Sequence, residues 1–190
     1  MAKVLFNIKK VQFSKITSYG ENGLPAYGTP LKVPGAVSLS MDNESSKETK
    51  YADGIAYFVV DGSNSYSGAL EIVNFPEEVL KEIFGWKKDE NGNLVEVDCG
   101  TEPFAMQFAV DSDDGEVYFT FFNCSASRPN NNFQTKESGV TINNQSSDIT
   151  MTPITLANGD NIIKSYADKT AKNYATYFTA VTVPKLVESI

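Results

Sequence analysis

The chain is predicted to be mainly β, a β-sandwich or barrel-like domain with one packed α-helix and long polar loops. Three observations predict it: short alternating runs bounded by turn residues, a strongly aromatic hairpin near the middle, and one segment with helical periodicity.

Taken in order, residues 1–32 read as an N-terminal arm and first hairpin, with a strand signal at Val11-Gln12-Phe13. Further strands are signalled by Val37-Ser38-Leu39-Ser40-Met41, by Ala56-Tyr57-Phe58-Val59-Val60 and by Ala69-Leu70-Glu71-Ile72-Val73. Turn chemistry separates them at Gly20–Pro25, Pro34-Gly35, Asp53-Gly54 and Asp61-Gly62-Ser63-Asn64. The helix is expected over 76–84. Pro76 suits a first turn, Glu77 and Glu78 face the positive end of the helix dipole, and Gly85 marks the stop. Val79, Leu80, Ile83 and Phe84 share one face, which should pack on a sheet.

Asn91-Gly92, between Trp86–Lys88 and Leu94–Val97, signals a type I′ hairpin. The clearest hairpin joins Pro103–Val110 to Glu116–Phe122 through Asp113-Asp114-Gly115. Alternation puts Phe104, Met106, Phe108 and Val110 on one face of its first strand; in its second, Val117, Phe119 and Phe121 oppose Tyr118 and Phe122. The expected core is therefore Phe104, Met106, Phe108, Phe119 and Phe121 with Leu80, Ile83 and Phe84 from the helix. Two polar stretches, Asp42–Lys50 and Asn130–Gly139, read as long loops because they offer no apolar face to bury. Ile149–Thr152 alternates as a strand ending at Pro153, Lys164–Ala175 is open between helix and loop, and Tyr177–Val183 reads as the last strand. The whole of 1–190 is expected to be one domain, with a core at 33–155 and a C-terminal strand and arm at 156–190.

Composition narrows the chemistry. Histidine is absent, which removes Ser-His-Asp, Cys-His and HExxH mechanisms. Residues 1–40 carry five lysines against Glu21, residues 41–128 six basic and eighteen acidic groups, and residues 129–190 five of each, for a net charge of −8. An acidic body disfavours tight nucleic-acid binding, which needs clustered Lys and Arg. Lys9, Lys10 and Lys15 are too few to supply it. No apolar run is long enough to span a bilayer, and the short apolar stretch before Lys9-Lys10 does not make a signal peptide. Cys99 and Cys124 lack CxxC spacing and are expected reduced, although a bridge stays open.

The acidic group Asp111, Asp113, Asp114 and Glu116 invites a calcium or magnesium reading, but lacks EF-hand spacing; a solvated turn is preferred. Glu77, Glu78 and Glu82 are accounted for by their place in a helix, and Gly20, Gly23 and Gly28 precede no Gly-Lys-Ser/Thr. Trp86 with Tyr51, Tyr57 and Tyr66 could form a sugar-binding shelf, which keeps a carbohydrate-binding β-sandwich of a baseplate or adhesin as the alternative function. A two-carboxylate hydrolase ranks third, and neither a cofactor nor a metal is expected.

Three segments in order carry a resemblance: Tyr51–Phe58, then Phe75–Trp86 followed by Asn91-Gly92, then Pro103-Phe104-Ala105 through Asn123-Cys124-Ser125-Ala126-Ser127-Arg128-Pro129. Over roughly residues 33–155 the chain resembles the major tail protein of long-tailed phages and prophages of Gram-positive bacteria. The resemblance implies a tail tube fold with long assembly loops. It further implies a non-enzymatic virion protein that self-assembles into stacked hexameric rings, whose lumen passes DNA without tight binding. Implied partners are further copies of the chain, the tape measure protein, the tail terminator and baseplate hub proteins, with no membrane. The implied location is the virion tail, after assembly in the host cytoplasm. Within it, Asp42, Glu44, Glu48, Lys50, Arg128, Asn130 and Asn131 are candidates for subunit contacts. Arg128, the one arginine, suits a clamp on a carboxylate of the same or a neighbouring subunit where the central hairpin ends.

Overall fold

The computed structural model describes residues 4–52, 55–133, 135 and 143–186, with backbone alone at 46–49, 52, 56–61 and 63. Its strands are β1 (Leu5–Tyr19), β2 (Pro25–Tyr27), β3 (Leu31–Lys32), β4 (Ala36–Leu39), β5 (Asp42–Ala52) and β6 (Ile55–Ile72). After α1 (Glu77–Glu82) come β7 (Lys87–Lys88), β8 (Leu94–Val95), β9 (Phe104–Ser112), β10 (Gly115–Ala126), β11 (Asn130–Asn131) and β12 (Gln145–Met151). The chain closes with β13 (Ile154–Thr155), β14 (Asn161–Ile162), β15 (Lys164–Ala167) and a 3-10 turn over Tyr174–Thr176.

One antiparallel sheet, ordered β2-β1-β9-β10-β12-β6-β4, carries the architecture. It curls into a barrel-like shell because β3 pairs with β1 while β4, just beyond Pro34-Gly35, pairs with β6. Val33 N–H adds a 2.8 Å bond to Val11 C=O at that seam. The inward faces supply Phe13 from β1, Leu70 and Ile72 from β6, Phe104 and Met106 from β9, Phe121 from β10, and Ile149 and Met151 from β12. Phe75, Val79, Ile83 and Phe84 bring the helical segment into the same core. Phe104, Met106, Phe108, Phe121, Ile83 and Phe84 are all buried, while Leu80 and Phe119 are half-buried. Phe119 still stacks on its cross-strand neighbour Phe108, with ring centroids 5.2 Å apart.

A register shift between Phe121 and Cys124 turns Cys124 and Ala126 into the core. Both cysteines are free; Cys124 is buried, which pushes its thiol pKa up, and Cys99 is exposed.

Several expectations are corrected. Asp42–Lys50 is not a loop but most of β5, paired along β6 in one long ribbon. Its polar sequence follows from a ribbon whose faces are wet rather than from a lack of regular structure. The two strands expected at 56–60 and 69–73 are one strand, β6, and Asp61–Asn64 is no turn, because β5 pairs through it. The Asp53-Gly54 turn signal falls outside the described residues. The first 32 residues form no arm over 5–19: β1 pairs with β9 in the middle of the sheet.

α1 is shorter than 76–84, ending at Gly85 (φ 72°), where Trp86 N–H closes on Leu80 C=O at 3.0 Å. The hairpin at Asn91-Gly92 forms, but not as type I′, since Gly92 has φ 86° and Asn91 is not left-handed. Instead Asp89 accepts from the Asn91 and Asn93 amides at 2.9 and 2.7 Å. Of the expected 130–139 loop, Asn130 and Asn131 are strand β11, and most of the rest lies outside the described residues. Tyr177–Val183 is not a strand, for a reason given below.

Candidate assembly surfaces

β5 and β6 start as part of the shell and leave it. β12 pairs with β6 only from Tyr66 to Ile72, and β4 only from Leu70 to Ile72. Over Ile55–Asn64, β5 alone flanks β6 among the described residues. At about 3.3 Å per residue, this two-stranded ribbon projects on the order of 30 Å. Asp42 and Glu44 sit at its root, where Ser67 Oγ donates to the Glu44 carboxylate; Glu48 and Lys50 lie further out. Near the tip, Tyr51 and Ile55 are 73% and 65% exposed, large apolar side chains at the part of the fold furthest from its core.

The root depends on Gly68. Ser40, between β4 and β5, crosses directly over it: a Cβ at 68 would lie 1.9 Å from Ser40 O and 2.7 Å from the carbonyl carbon. Ser40 N–H donates to Ala69 C=O, and the Ala69 amide donates back to Ser40 Oγ, both at 3.0 Å. The absence of a side chain at one position thus lets two strands follow one edge of β6 without a break.

Arg128 sits elsewhere, past the end of β10. Its Nη2 donates to Val97 O at 3.2 Å, Asp98 Oδ1 at 2.9 Å and Cys99 O at 3.1 Å, and Nε lies 3.5 Å from Glu96 Oε1. These partners all belong to the same chain, so the guanidinium fork ties the segment 96–99 to the barrel. Asn130 and Asn131 pair with Ser146 and Gln145 of β12, and Gln145 Nε2 donates to Asn131 Oδ1 at 2.6 Å. The seven residues expected at subunit contacts therefore fall in two places, the ribbon and the β10–β12 exit.

A third cluster joins the basic N-terminal segment to the acidic hairpin. β1 bulges where Asn7 (φ 61°) and Lys10 (φ 56°) adopt left-handed backbone. The bulges let consecutive lysines reach one carboxylate: Lys9 and Lys10 bind Glu116 at 2.8 and 2.5 Å, and Lys9 also binds Asp111 at 2.5 Å. Lys10 and then Lys9, as hydrogen-bonding partners, hold the Glu116 carboxyl down at about 2. Lys169 pairs with Asp114 across the same turn. The acidic hairpin is thus answered by lysines, and no metal-holding cluster occurs among the described residues.

On the outer face of β1, β9 and β10, three polar side chains are buried where alternation would place solvent-facing residues. Gln12 Nε2 donates to Gln107 Oε1 at 2.7 Å and to Phe178 O at 3.0 Å. Gln107 Nε2 donates to Tyr177 O at 3.0 Å, and Thr120 Oγ1 to the Tyr177 hydroxyl at 2.7 Å. These side chains take the carbonyls that a strand ladder would use, which is why Tyr177–Val183 crosses the face as an irregular strap. Tyr174 stacks on Tyr118 at 4.3 Å and Phe178 meets its edge at 4.8 Å, sealing the strap. Sequence alone missed Gln12, Gln107, Thr120 and Gly68; the visible signal was a glutamine at the centre of the aromatic strand Phe104–Val110.

The aromatic shelf does not assemble. Trp86 and Tyr66 pack against the barrel core, Tyr51 projects from the ribbon, and the Tyr57 side chain lies outside what is described.

Comparison with known proteins adds the following. A family model described as phage tail tube protein matches residues 10–187. By sequence, no curated protein matches the chain. In three dimensions the chain is similar to one in the cryo-EM structure of the anti-feeding prophage (AFP) baseplate, 6-fold symmetrised, at TM-score 0.47 and 9% identity, covering 88% of this chain and 96% of that chain.

Proposed function

The chain belongs to the phage tail tube protein family, a structural family of the virion tail, and from that premise we propose that it self-assembles into stacked hexameric rings forming the tube that conducts DNA. The observation that carries the proposal is the β5–β6 ribbon. A two-stranded ribbon with no third strand is marginal in water, and its free edges invite pairing with another chain. Over Ile55–Asn64 the ribbon has no neighbour among the described residues, so a partner surface is what would stabilise it. Bridging between rings is the role we assign to it, with Asp42, Glu44, Glu48 and Lys50 on the bridging element.

The lumen is proposed to be lined by carboxylates from residues 41–128, which repel phosphate and let DNA slide. Asp111 and Glu116 are already paired with lysines, so the lining falls to other acidic residues of that span. A density map of the assembled tube with a lysine-rich lumen would end that idea. The tape measure protein, the tail terminator and the baseplate hub are the expected partners, with assembly in the host cytoplasm.

The test of the main proposal is electron microscopy of the purified protein across rising concentration, beside a variant in which residues 45–64 are replaced by a short turn. Both strands of the ribbon must go, because removing one would strand the other. Rings and tubes from the intact chain, and only folded monomer from the variant, are expected. Normal tubes from the variant would remove the ribbon from assembly.

A further inference from the structure

Two apolar surfaces lie at opposite ends of one ladder. The ribbon tip exposes Tyr51 and Ile55, which contact none of the core. At the other end of β6, where Ala36 pairs with Ile72, a groove of about 760 Å³ opens between Ile8–Gln12 of β1, the Lys32–Ala36 segment and the C-terminal strap. Its apolar lining includes Ile8, Val33, Pro34 and Phe178. A tyrosine and an isoleucine side chain fit within a cleft of this class, which accommodates small-molecule-sized apolar groups.

We propose that this groove receives the ribbon tip of a second copy of the chain, seating Tyr51 and Ile55. The inference rests on the tail tube assignment above and names the receptor for its bridging element. Charge favours the match. Residues 42–61 carry Asp42, Glu44, Glu48, Asp53 and Asp61 against Lys47 and Lys50. The groove rim carries Lys32, which has no ion pair among the described residues, together with Lys9 and Lys10. The occupant must be another copy: β6 runs 18 residues between tip and groove, on the order of 50 Å, and a paired ribbon does not fold back on itself. A tip at one end and its receptor at the other make a head-to-tail contact, the kind that propagates instead of closing a pair.

The test is oxidative crosslinking of assembled protein carrying Tyr51→Cys and Pro34→Cys in a Cys99→Ser background, beside a control pairing Tyr51→Cys with Lys87→Cys. A ladder of covalent oligomers on a non-reducing gel from the first pair alone is expected. A separate variant, Tyr51→Ser with Ile55→Ser, should keep the thermal midpoint of the monomer yet raise the concentration needed for assembly by about tenfold or more, the effect of leaving two apolar side chains in water. Rings or tubes without a ladder, an equal ladder from the control, or an unchanged assembly threshold would overturn the groove assignment while leaving the tail tube assignment standing. Failure of the unmodified chain to assemble at any concentration would overturn both.

Discussion

Gly68→Ala concentrates the reasoning about the ribbon root into one methyl group. The added Cβ would sit 1.9 Å from Ser40 O, 2.7 Å from Ser40 C and 3.0 Å from Met41 Cα. All three are backbone atoms, so no side chain can swing aside, and the β4–β5 connection must move by more than 1 Å to reach ordinary contact distance. Overpacking of this kind costs about 1–3 kcal/mol. The displaced connection also weakens the bonds from Ser40 N–H to Ala69 O and from the Ala69 amide to Ser40 Oγ, each worth about 0.5–1.5 kcal/mol.

Together these give a local loss of about 2–5 kcal/mol, confined to the ribbon root, since β1, β9, β10 and β12 do not touch Gly68 across this edge. Hydrogen exchange should show loss of protection at residues 42–45 and 65–70, with little change in β9 and β10. Urea denaturation should report a smaller global loss. Gly100→Ala is the control, because a Cβ there meets nothing and the backbone is not left-handed; it should stay within about 0.5 kcal/mol of the parent. If Gly68→Ala matches Gly100→Ala in both assays, the close crossing of Ser40 over β6 is wrong.

Three further outcomes are expected. Arg128→Lys removes the fork shared by Val97 O, Asp98 and Cys99 O; stability should fall by about 1 kcal/mol with faster exchange at 96–99, and a loss of assembly with unchanged stability would contradict the intrachain clamp. Gln107→Leu leaves Tyr177 O without its donor and Gln12 without an acceptor, so it should cost about 1–3 kcal/mol and open the strap at 171–186 to limited proteolysis; an equally resistant strap would refute the clamp. The Glu116 carboxyl is held at about 2 in the folded chain against an ordinary 4.5, so its stabilisation is present above about pH 4.5 and lost as pH falls toward 2. Solvent screening limits it to roughly 1 kcal/mol; Glu116→Gln should flatten that part of the thermal midpoint's pH profile, and an unchanged acid limb would count against the lysine cluster.

Sequence by itself determined the mainly β class, the central aromatic hairpin, the helix with its glycine stop and most of the core, because each is written in local period and local turn chemistry. Phe104, Met106 and Phe121 were legible for that reason, and so was the family resemblance. What only the tertiary structure decided has partners distant in sequence. Asp42–Lys50 has the composition of a loop and becomes a strand because β6 supplies its hydrogen bonds. Tyr177–Val183 has the alternation of a strand and becomes a strap because Gln12 and Gln107, over seventy residues away or close to it, capture its carbonyls. Arg128 finds its acceptors some thirty positions back, in a segment with no motif. Backbone hydrogen-bonding demand is met wherever a partner lies in space, and local pattern cannot report which partner that is.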